Sequence, residues 1–96
     1  MDDPVVVSYR ERISRTDDEL LAAVNRRVQL VSELHAHKRR EGHPLYDAAR
    51  EQDVVARAVG RNPGPLSDGA VSELYALLLP LCTAEARRLG EEAAPA

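Results

Sequence analysis

Ninety-six residues at 10.6 kDa predict one small domain over residues 1–96; the 44% apolar content excludes a disordered chain. With no Phe and no Trp, the core must be built from Ala, Val and Leu. Thirteen basic residues against sixteen acidic ones give a net charge of −3, which supplies no general pull toward nucleic acid or anionic lipid.

The acidic start, Met1-Asp2-Asp3-Pro4, has no signal-peptide pattern, and the longest apolar run is far too short for a membrane span. A single cysteine, Cys82, excludes an intrachain disulfide and fits a reducing compartment. The expectation is a soluble cytoplasmic protein.

Tyr9, Ile13, Leu20, Val24, Val28, Val31 and Leu34 recur at spacings of three, four and seven, which predicts one long helix over about residues 8–40. Such a helix is about 50 Å long. A compact domain of this size is only roughly 25 to 30 Å across. Part of the apolar stripe would then meet water, and a second copy of the chain is the cheapest cover. A bent or broken first helix is the other way out. Gly42 and Pro44 end this element.

A short helix follows over 47–59, with Val54, Val55 and Ala58 as its apolar positions. The cluster Gly60-Arg61-Asn62-Pro63-Gly64-Pro65 breaks the chain again. Ser67 then reads as the N-cap of a third helix over 67–89, with Asp68 placed well against its dipole. Its apolar positions are Val71, Leu74, Leu77, Leu78 and Leu81, with Gly90 as the stop. Pro80 deletes one backbone hydrogen bond and predicts a kink, and the tail 91–96 is expected to fray. The fold class is all-α, three helices per chain.

No metal site and no cofactor motif stands out. His35 and His37 are two residues apart, so a helix points them about 200° away from each other, as solvated residues rather than ligands. Arg27 and Lys38 are eleven apart, within about 20° of one helix face and about 16 Å along it. Arg27 also borders the apolar stripe, where a solvated Arg is not expected. Arg10 lies about 25 Å from Arg27 and about 260° around the helix, so only an antiparallel partner could bring it to the same pocket. Asp47, Arg50 and Glu51 share one face of the second helix. Taken alone, these groups also read as ordinary surface ion pairs.

The order Arg10-x-x-Ile13-x-x-x-Asp17-x-x-Leu20-Leu21, then Arg26-Arg27, then Lys38, then Asp47-x-x-Arg50-Glu51 resembles the all-helical, type II chorismate mutase family. The likeness covers about residues 10–59, and the third helix matches only in its hydrophobic pattern. It implies an intertwined, domain-swapped homodimer with two sites, each built from both chains. It also implies conversion of chorismate, a dianion, to prephenate in aromatic amino-acid biosynthesis, with no cofactor. Arg27 and the partner chain's Arg10 match the arginines that hold the two carboxylates. Lys38 matches the lysine on a carboxylate and the ether oxygen. Glu51 matches the acid that accepts from the substrate hydroxyl, with Arg50 and Asp47 beside it.

The third helix departs from the family, which places Ser and then Gln or Glu four residues later. Alignment puts Cys82 and Ala86 there, with Glu85 one residue away. With Glu85 turned inward by a kink at Pro80, it must be protonated to donate, favouring acidic pH. With Ala86 there, one contact is absent and intrinsic activity is low. Two other readings remain open: pyruvate elimination from isochorismate on the same framework, and a weakly catalytic binding or regulatory dimer. Likeness to small stand-alone members of the family also implies a complex with the first synthase of the shikimate pathway.

Overall fold

The computed structural model describes residues 3–93, and they form three helices: α1 (Pro4–Glu41), α2 (Ala48–Arg61) and α3 (Asp68–Ala93). The all-α class expected from the sequence, three helices and no strand among the described residues, is the one observed.

Local chemistry sets the ends. α1 starts four residues earlier than the stripe predicts. Asp3 caps it, accepting from the Val5 amide at 2.8 Å, and Pro4 occupies the first turn, where a missing N–H costs nothing. Its other end closes on Gly42 in the left-handed region (φ 71°). There the amides of Gly42 and His43 return to the carbonyls of Arg39 and Lys38. Asp47 caps α2 through the Arg50 amide at 3.1 Å, and the Ser67 hydroxyl accepts from the Ala70 amide at 3.1 Å to cap α3. Between α2 and α3, Asn62 ties the loop, donating to the Leu66 carbonyl at 2.7 Å and accepting from the Gly64 amide at 3.1 Å.

α3 departs from expectation at one of its two punctuation marks, the Gly90 stop. It continues through Pro80, whose position is exposed, so water can serve the carbonyl that the ring leaves unbonded. It also continues through Gly90. A β-carbon there would stand 3.3 Å from the Arg39 Nη1, so this glycine makes room for a guanidinium from α1. Glu91 to Ala93 are therefore helical rather than frayed; the rest of the expected tail, 94–96, lies outside the described residues.

α1 is unbroken over 38 residues, and the chain is elongated, 59 × 35 × 15 Å with a radius of gyration of 17.5 Å. A globular chain of this length would have about 12.5 Å. α3 packs against both other helices and runs in the same direction as the C-terminal half of α1, while α1 and α2 leave a gap between them. The seam is thin. Val71, Cys82 and Ala86 are the buried apolar residues among those described. Small side chains at 82 and 86 let the helices approach closely. Leu74, Leu77 and Leu81, expected in the core, are instead exposed, at 47%, 74% and 52%.

Candidate active site

The gap between α1 and α2, floored by α3, is a cavity of about 460 Å³. Three helical stripes converge on it. α1 contributes Arg27, Val31, His35 and Lys38, one turn apart in sequence, with Arg39 at the rim. α2 contributes Asp47, Arg50, Glu51 and Val54, and α3 contributes Leu79, Thr83 and Arg87 at intervals of four. The five residues that the sequence singled out on α1 and α2, apart from Arg10, therefore line one space.

Five cations, Arg27, Lys38, Arg39, Arg50 and Arg87, face that space against two carboxylates, Asp47 and Glu51. None of the five forms an ion pair among the described residues. One carboxylate oxygen of Asp47 is engaged by the Arg50 amide, so Asp47 fixes the first turn of α2 from which Arg50 and Glu51 project. Cations in excess over carboxylates in a concave wall make an anion site.

His35, which the sequence places in solvent, is not there. It is 8% exposed, in the cavity wall one turn before Lys38. Burial, and then the Arg39, Lys38 and Arg87 cations, hold its imidazole below the usual histidine range. The sequence signal for this was its place between Val31 and Lys38 on the inner face. His37, on the opposite face, is exposed as expected.

The third helix corrects the sequence alignment by one residue. Cys82 is wholly buried and Ala86 is 1% exposed, both in the seam, and neither lines the cavity. Glu85 does not turn inward; its carboxylate accepts from Arg88 Nε at 3.0 Å on the outer face, where Arg88 also reaches Glu92 at 2.9 Å. Thr83 and Arg87 face the cavity in their stead. They keep the four-residue spacing of a hydroxyl and a longer hydrogen-bonding side chain that the family resemblance called for at Cys82 and Ala86. Arg10 lies apart, in a shallow hollow with Val7, Glu11, Ser14 and Arg15.

The model of type II chorismate mutases matches residues 9–87, which takes in α2 and most of α1 and α3. The chain belongs to the type II chorismate mutase family. Two solved structures of chorismate mutase from Thermus thermophilus share its fold. Form II is 26% identical with a TM-score of 0.80, covering 86% of this chain and 94% of that one. Form I is 27% identical with a TM-score of 0.77, covering 80% and 96%. No protein of curated function matches the chain. Membership makes this an isomerase-type enzyme of the chorismate mutase family, with chorismate as the family's substrate. Among the described residues, no helix of this chain is long and apolar enough to cross a membrane.

Proposed function

We propose that two copies of this chain, in the cytoplasm, convert chorismate to prephenate at two shared sites. The observation that carries the reading is the single cavity holding Arg27, Lys38, Asp47, Arg50 and Glu51 with unpaired cations around it. The rearrangement is unimolecular: an ether C–O bond breaks as a C–C bond forms, and no proton, electron or co-reactant enters. The protein's task is to hold a compact chair and to meet the negative charge that grows on the departing ether oxygen. Arg27 and the partner's Arg10 hold the two carboxylates as planar forks, and Lys38 places an ammonium at the ether oxygen. Glu51 accepts from the substrate hydroxyl, and Asp47 and Arg50 hold the end of α2 that carries it.

Thr83 and Arg87 take the α3 positions in this reading, instead of Cys82 and Glu85. With a guanidinium there, no carboxylic acid has to be protonated, so the acid-favoured profile expected for Glu85 is withdrawn. The burial of Cys82 and Ala86 also removes the main reason for treating the chain as an incomplete binding module. The partner half of the reading is a complex with the first synthase of the shikimate pathway, supported by the likeness to small stand-alone mutases. A rise in turnover on adding that synthase tests it.

Purified protein given chorismate should lose the enolpyruvyl absorbance and release prephenate. Release of pyruvate from isochorismate, with chorismate untouched, would replace the mutase reading by the lyase.

A further inference from the structure

Every residue of α1 from Pro4 to Ala23 is exposed, including Tyr9 (55%), Ile13 (57%) and Leu20 (57%) on its apolar stripe. Asp17 interrupts that stripe, four residues after Ile13 and three before Leu20. A carboxylate on a face that must be covered needs a cation on whatever covers it. A second groove, about 460 Å³, lies between α2 and α3 beside the active-site cavity. Its floor includes Val54, Ala58 and Val71, and its edge carries Arg50, Arg57 and Arg61 with no carboxylate in the lining.

The spacings match. Arg10 to Asp17 is seven residues along the arm, and Arg50 to Arg57 is seven along α2. Both are about 10.5 Å of rise and about 20° of phase. α2 runs back along α1, so an arm from an antiparallel copy lies along α2 in the same direction. With its Arg10 at the Arg27 and Arg50 end of the groove, the arm carries its Asp17 to Arg57.

We infer that the arm of a second copy seats in this groove and that its Asp17 pairs with Arg57, fixing the register that delivers Arg10 to the active site. This rests on the two-chain site proposed above and adds the contact that aligns it. A two-fold assembly contains the pair twice. The partner is a second copy rather than another protein because the acid, the apolar stripe and the complementary groove are all on this chain.

The test is a charge swap read by native mass and sedimentation. Asp17→Arg and Arg57→Asp are each expected to weaken the dimer about a hundredfold or more. The double variant should return to near wild-type affinity. Mixing the two single variants should give a heterodimer that avoids the like-charge clash of either homodimer: one of its pairs joins the two substituted positions, of opposite charge, and the other joins the native Asp17 and the native Arg57. If a reversal unfolds the chain, judged by helical circular dichroism, Asp17→Asn and Arg57→Gln replace it, and the combined variant should lose no more than either alone. Single variants as dimeric as the wild type, or swaps and mixtures that fail to recover, would overturn the pair. The readout is mass, so a dimeric wild type without chorismate turnover would sink the mutase reading and leave this pairing intact.

Discussion

The two halves of α1 share one helix and one apolar stripe, yet they meet different fates. From Val24 to Val31 the stripe is half-buried where α1 packs on α3, with Arg27, His35 and Lys38 at least partly sheltered. Before Val24 no other helix among the described residues covers it, and Ile13, Leu20 and Leu21 stand 57%, 57% and 61% exposed. Length is part of the difference: α3 has 26 residues and α1 has 38, so about twelve residues of α1, some 18 Å, cannot be matched. A face that is apolar but uncovered marks an interface. The packed half lines the cavity, and in the proposed dimer the bare half would complete the site of another copy.

The largest effects should break the packed half chemically without touching the arm. Arg27→Ala and Lys38→Ala are each expected to cut chorismate turnover by at least about a hundredfold, as loss of one preorganised charge costs about 3 to 4 kcal/mol. The dimer should persist in both, by sedimentation. Lys38→Arg should fail too, because a planar fork does not replace a compact ammonium. Near wild-type rates would remove that residue from the site.

The arm is tested by complementation. Arg10→Ala and Lys38→Ala should each be inactive alone, while an exchanged mixture regains about a quarter of wild-type turnover, from one intact site in each mixed dimer. No recovery after subunit exchange would mean that Arg10 serves its own chain or none.

A third comparison is thermal. Ala86→Leu overfills the α1–α3 seam and should cost about 1 to 3 kcal/mol. Leu20→Lys should instead lower Tm by weakening the dimer, so that its deficit shrinks as protein concentration rises. Identical concentration dependence in the two variants would erase the distinction between the halves.

Acid should weaken the packed half. His35 takes up its proton less readily in the folded chain than at its ordinary 6.5, because of burial and then Arg39, Lys38 and Arg87. The unfolded chain therefore binds that proton first as pH falls, and stability should drop below about pH 6.5 and be unaffected by this group above it. His35→Asn should flatten that part of a denaturation-versus-pH curve. The smallest effect is expected at Glu85: its pair with Arg88 is solvent-exposed, so Glu85→Gln should leave both turnover and its pH profile nearly unchanged.

Much of this was legible in one dimension. Gly42, Asp47 and Ser67 announce helix ends because capping is a contact within a few residues. Arg27 and Lys38 share a face because eleven residues is close to three turns. Gly90 misled because its role is set by Arg39, fifty-one positions away. The α3 site residues were displaced by one because a helical pattern gives the period of a stripe but not which edge of it faces a gap.

The sequence by itself determined three helices, the ends at Gly42 and Ser67, the set of charges on α1 and α2, and a first helix too long for its own chain. These follow from periodicity and from contacts within a turn or two. Only the tertiary structure decided that α3 turns Thr83 and Arg87 toward the cavity and that His35 lies in its wall. Each of those depends on the rotation and offset of one helix against another. Close packing at Cys82 and Ala86 sets that rotation, and no spacing along the chain encodes it.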